Sequence, residues 1–293
     1  MKDARLRTIA TSTSLTLLLG AASLAPATAA TSEAITIPGD GYDIAGVFVA
    51  PDGDGAAPAV LMLHGYASSA DEVGGMYASA AEALAAQGVG SLRIDFAGMG
   101  ASEASTLDYD WDSMTADAAT SLDWLLAQEG VDPERVGVLG FSNGAMIGSY
   151  LVGTDERPAA FASWSGAIYD GEANAAYLEP SLAACEATGE GQVEQDLGWR
   201  LIDHSCEYFS SMLGGTALTE FASFDGPLLL LAGSADEAVD PAVSEHAATA
   251  SASEDVTFTV IDGADHIFNV LTDDQTMSQA VIATTADWFA EKL

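Results

Sequence analysis

The sequence predicts an α/β protein: a mostly parallel central sheet flanked by helices, with a small helical cap inserted over residues 166–224. Three observations lead there. Short unbroken apolar runs such as Ala59-Val60-Leu61-Met62-Leu63 and Leu228-Leu229-Leu230-Leu231 recur along the chain, the mark of strands buried on both faces. Stretches of helical period separate them, and this alternation is what a parallel sheet covered on both sides requires. From residue 166 to 224 the alternation stops, leaving short helical stretches, aromatics and both cysteines. A structureless loop of that length inside a compact domain is uncommon, so the segment reads as an insertion.

In chain order, residues 1–30 read as a secretory signal peptide. Lys2, Arg5 and Arg7 precede an apolar span through Leu17-Leu18-Leu19, and Ala27-Thr28-Ala29-Ala30 offers a cleavage site. The span is short and broken by Ser and Thr, which disfavours a membrane anchor. Arg5 and Arg7 are not adjacent, so no twin-arginine signal is expected. Residues 34–37 and 44–49 form a predicted hairpin, followed by a glycine-rich loop at 51–55 and the buried strand 59–63. A helix is expected over about 71–87, stopped by Gly88, and a buried strand over 89–96. The next helix, about 112–128, places Met114, Ala118, Leu122 and Leu125 on one face. Beyond Pro133 an apolar strand runs into Gly140-Phe141-Ser142-Asn143-Gly144, with a small-residue helix behind it and a strand at 161–164. After the insertion the sheet resumes at 227–233 and 256–261. A closing helix over about 274–291 turns Val281, Ile282, Trp288 and Phe289 inward. The core domain is thus 31–165 with 225–293.

The stretch around Ser142 organises the rest. A serine at the apex of a sharp strand-to-helix turn leaves no room for side chains two residues away, and Gly140 and Gly144 supply the clearance. The helix behind it aims free N–H groups at nearby negative charge. A hydroxyl is a weak nucleophile, so the motif calls for a histidine base and a carboxylate elsewhere. In a parallel sheet these belong at the carboxyl ends of strands. There the sequence supplies Asp236, with Glu237 and Asp240 as rivals, and then His266, giving the order Ser142, Asp236, His266.

With His64-Gly65-Tyr66, Arg93-Ile94-Asp95-Phe96-Ala97-Gly98-Met99-Gly100-Ala101-Ser102 and the Ser142, Asp236 and His266 segments, the chain resembles α/β-hydrolases over its whole length beyond the signal. It is most similar to the bacterial feruloyl/cinnamoyl esterase-like group, though Tyr66 stands where Phe is common. The resemblance implies a secreted serine ester hydrolase acting on short-chain or hydroxycinnamoyl esters through an acyl-enzyme, without a cofactor. The backbone N–H groups of Tyr66 and Asn143 would form the oxyanion hole. Two other readings stay open: a serine peptidase of the prolyl oligopeptidase kind, whose usual propeller domain is missing, and a non-catalytic hydrolase-fold binding protein.

The remaining residues are weighed individually. Of the four histidines, His64 reads as shaping the oxyanion loop and His246 as a surface residue, while His204 falls in the cap, open to substrate or to solvent. Asp95 reads as fixing the glycine turn that follows it. Trp164, Tyr169, Tyr177, Trp199, Tyr208 and Phe209 are candidates either for an aromatic pocket or for cap core. Cys185 and Cys206, in an exported chain, are expected to pair; their spacing to the histidines suggests no metal site. The formal charge of −36 arises from 44 acids against 8 cations. Nucleic acid and anionic membranes are therefore improbable partners, and a small-molecule ester is the expected one. The charge is spread evenly, suiting either high salt or simply an acidic secreted protein, and the oligomeric state is not legible.

Overall fold

The computed structural model describes residues 32–51 and 55–293. The signal-peptide reading lies outside them, as does the middle of the 51–55 loop. Three strands open the chain, β1 (Ser32–Pro38), β2 (Asp43–Val49) and β3 (Ala57–Leu63), followed by α1 (Met76–Ala86) and β4 (Gly90–Asp95). Next come α2 (Trp111–Leu126), β5 (Val131–Phe141), α3 (Asn143–Thr154) and β6 (Ala160–Trp164). The inserted segment holds α4 (Ala175–Thr188), β7 (Gln192–Asp196), β8 (Leu201–Ser205), α5 (Cys206–Gly214) and α6 (Ala217–Phe221). The chain closes with β9 (Leu228–Gly233), α7 (Pro241–Ala250), β10 (Val256–Ile261) and α8 (Thr276–Lys292).

Eight strands form one sheet in the order β1-β2-β4-β3-β5-β6-β9-β10. Only the β1–β2 and β2–β4 pairs are antiparallel; the five others are parallel. Successive side chains of a strand point to opposite faces, and β3 shows the consequence. Leu61 and Leu63 join a core with α2, α3 and the inserted segment, whereas Val60 and Met62 join one with α1 and α8. Both faces are dry, which is why these strands read as unbroken apolar runs. The four inward residues foreseen on α2 are all fully buried. Among the described residues, no helix is long and apolar enough to cross a membrane.

Two local expectations are corrected. The helix foreseen from 71 starts only at Met76, because Glu72, Gly74 and Gly75 have φ of 59°, 61° and 71° and cannot continue a right-handed helix. The insertion is not purely helical, since β7 and β8 pair antiparallel as a hairpin. Its outward side carries Glu194, Asp196, Leu201 and Asp203, so the sequence shows no buried run there. A disulfide joins Cys185, late in α4, to Cys206, which directly follows β8.

Candidate active site

β5 delivers Phe141 to the carboxyl edge of the sheet, and Ser142 turns the chain with φ 51° and ψ −115°. Non-glycine residues rarely adopt such values, and neighbours hold this one in place. Its N–H donates to the Trp164 carbonyl at 2.9 Å, and its carbonyl accepts from Ala167 N at 3.1 Å. The flanking glycines are obligatory. A Cβ on Gly140 would lie 2.3 Å from Ala145 Cα, and one on Gly144 would lie 2.0 Å from the Leu63 carbonyl oxygen and 2.4 Å from that of His64. The second contact also shows that the elbow abuts the end of β3. Gly144, in the first turn of α3, therefore lies against the start of the His64-Gly65-Tyr66 loop, and Asn143 beside it carries the first N–H of α3, which has no intrahelical acceptor.

The other two strand ends complete the arrangement. His266, beyond β10, points Nε2 at Ser142 Oγ, 3.0 Å away, and Nδ1 at Asp236 Oδ2, 2.8 Å away. Asp236 follows β9, and its side chain is fully buried while that of His266 keeps 22% of its exposure. The other Asp236 oxygen accepts from Ala238 N and Val239 N, each at 2.8 Å. Burial pushes this carboxyl upward, but the His266 hydrogen bond and the two N–H donors outweigh it and hold its pKa below the usual value. The rivals stand elsewhere: Asp240 caps α7 through Ala242 N, and Glu237 is exposed.

The loop after β3 is held by groups buried beneath it. His64 Nδ1–H donates to the Gly65 carbonyl at 2.7 Å, and Nε2 accepts from Phe96 N at 3.1 Å, a pairing that only the neutral Nδ1–H tautomer satisfies. Burial drives its pKa down accordingly. Glu72, which sequence reasoning left inside a helix, accepts from Gly65 N at 2.6 Å and from the Ser68 hydroxyl. Its left-handed backbone is the price of reaching back to that loop, and nothing in a local pattern signals it. Asp95 accepts from Ala70 N at 2.6 Å and Ala101 N at 3.0 Å, tying the Gly98–Gly100 turn to the same loop. Asn143 donates through Nδ2 to the Tyr109 hydroxyl at 2.9 Å. Tyr109 is fully buried, and it too was not foreseen.

A model of the alpha/beta hydrolase family matches residues 60–281, three quarters of the chain and the whole of this site. The chain belongs to the alpha/beta hydrolase family. Proteins of Mycobacterium tuberculosis called uncharacterized are 27% identical to this hydrolase over 242 residues, which span 83% of its chain and 74% of theirs. Est1E of Butyrivibrio proteoclasticus with ferulic acid bound superposes with a TM-score of 0.74 at 18% identity, covering 88% of this hydrolase and 98% of Est1E. An esterase of Pyrococcus furiosus gives 0.67 at 19%, covering 90% and 91%. At such identities the likeness is one of fold.

The remaining candidates in this hydrolase fall into distinct places. His246 is exposed on α7. His204 is fully buried, so the surface position left open for it is corrected. Trp164 is not under the cap: it lies on the opposite face of the sheet and donates to Thr285 Oγ1 at 2.8 Å. Tyr208 and Phe209 are buried in the core shared with the cap, whereas Tyr177 and Trp199 are 54% and 67% exposed.

Proposed function

We propose that this protein is an exported serine ester hydrolase that cleaves small carboxylic esters, short-chain or hydroxycinnamoyl, through an acyl-enzyme. The continuous hydrogen-bonded line from Ser142 through His266 to Asp236 carries the reading. Ser142 Oγ attacks the acyl carbonyl while His266 Nε2 takes its proton, and the carbonyl π electrons move onto the oxygen. Asp236, ionised and buried, orients the imidazole and offsets its positive charge. The Tyr66 and Asn143 N–H groups receive the oxyanion, each contributing about 3 kcal/mol to the barrier reduction. Collapse expels the alcohol with the proton from His266. Water, activated by the same histidine, then releases the acid and regenerates Ser142. The disulfide supports export, and the resemblance to bound-ferulate Est1E supports the hydroxycinnamoyl class.

The test is the initial rate on methyl ferulate beside p-nitrophenyl butyrate, with Ser142→Ala as the blank. Serine-dependent turnover of both is expected. The alanine variant should lose at least about 10⁴-fold in kcat while keeping its circular dichroism and melting point. Turnover of the butyrate alone would remove the hydroxycinnamoyl assignment, and an active Ser142→Ala variant would remove the mechanism.

A further inference from the structure

The backbone N–H of Tyr66 serves the reaction proposed above, but its side chain turns away into the cap. The Tyr66 hydroxyl lies 3.1 Å from Gln195 Oε1 on β7 and is hydrogen-bonded to His204 Nε2 on β8. The His204 ring is nearly parallel to that of Tyr66 at 5.6 Å and to that of Tyr208 at 4.1 Å. The phenol has one proton and two prospective acceptors. Both contacts are satisfied when His204 Nε2–H donates to the phenol oxygen and the phenol O–H donates to Gln195. The neutral Nε2–H tautomer suffices for this, and burial followed by the Arg200 charge keeps His204 in it by pushing its pKa down to about 4. A phenylalanine at 66 would make neither bond.

The same hairpin grips the backbone beside Tyr66. Arg200, at its turn, donates to the Ala67 carbonyl at 3.2 Å and to the Gly98 carbonyl at 3.4 Å. Ala67 has φ 55°, a strained value for alanine that persists only where its surroundings enforce it. Among the described residues, Arg93, Arg135, Arg157 and Lys292 each pair with a carboxylate, whereas Arg200 is directed at the Ala67 and Gly98 carbonyls and at Met99 Sδ. The Cys185–Cys206 disulfide anchors the hairpin at its base.

We infer that the β7–β8 hairpin is the template that shapes the oxyanion loop, with His204, Gln195 and Arg200 as positioning residues for the Tyr66 N–H. The cap then governs how fast an ester is cleaved. The inference rests on Tyr66 N–H being an oxyanion donor. Misplacing such a donor weakens transition-state binding more than substrate binding. Tyr66→Phe, which removes one oxygen, and His204→Leu should each lower kcat on p-nitrophenyl butyrate about tenfold with KM little changed. Their double variant should be no slower than the worse single, since Tyr66→Phe already removes the bond that His204→Leu removes. His204→Gln, which keeps a donor near the Nε2 position, should recover most of the rate. Hydrogen exchange of the peptide spanning 65–68 should accelerate in Tyr66→Phe and His204→Leu. Wild-type kcat in Tyr66→Phe, or additive losses in the double variant, would overturn the inference. If wild-type protein shows no Ser142-dependent turnover, the functional reading fails separately. Exchange at 65–68 then decides the template alone: unchanged protection in both variants rejects it, and faster exchange upholds it.

Discussion

Ser142 combines a left-handed backbone with hydrogen bonds to Trp164 and Ala167, so the strain of about 1–3 kcal/mol typical of such residues is held by the strand next door. The neighbouring glycines make that arrangement possible, and Gly144 is the stricter test. Its missing Cβ faces the Leu63 and His64 carbonyls, rigid main-chain atoms that cannot turn aside as a side chain would. Gly144→Ala should therefore destabilise the protein by at least about 2 kcal/mol and lower kcat as the elbow and the loop after β3 separate. Urea midpoints and initial rates read both effects. A variant with wild-type values for each would contradict the close approach of α3 to β3.

At the scale of elements, the β7–β8 hairpin depends on the disulfide that closes the loop between Cys185 and Cys206, 21 residues apart. In the chain-entropy account, a loop of this size gains about 3 kcal/mol from its crosslink. The hairpin has only two strands, and such pairs are marginal without packing on one face. Its inward residues Ile202 and His204 are buried, while Trp199 at the turn stands exposed. Cys185→Ser/Cys206→Ser should accordingly be cut by chymotrypsin within 189–200 well before the sheet is attacked. Mass spectrometry of the first fragments locates the cut. Equal resistance in the variant and the parent would show that packing alone holds the hairpin.

For the whole molecule the dominant quantity is the charge of −36. Among the described residues, Arg93, Arg135, Arg157 and Lys292 pair with Asp71, Asp132, Asp123 with Asp155, and Asp255. Most of these partners are solvent-exposed, where an ion pair contributes little, about 0–1 kcal/mol. The 44 acids far outnumber the 8 cations, so net self-repulsion opposes the compact state. The Debye length falls from about 10 Å at 0.1 M salt to about 3 Å at 1 M. Melting points in KCl should rise by several degrees over that range, whereas a neutral osmolyte chosen for equal water activity should not reproduce the full rise. A melting point insensitive to KCl would remove self-repulsion from the account.

Much of the fold was legible because its signals are local. A strand buried on both faces must be apolar throughout, as at 59–63 and 228–231, and an elbow must carry glycine at 140 and 144 whatever lies around it. The order of Ser142, Asp236 and His266 along such strand ends was likewise open to reading. Position alone favoured Asp236, the first acid after its strand, over Glu237 and Asp240; its meeting with His266 is a contact across 30 residues. Nor could it reveal Glu72 reaching back to Gly65, Trp164 lying on the face away from the cap, or His204 meeting Tyr66 across 138 residues. Periodicity and turn chemistry record what a residue requires of its near neighbours. Hydrogen bonds closed between distant segments leave no such record, because their geometry exists only once the sheet and its cap are assembled.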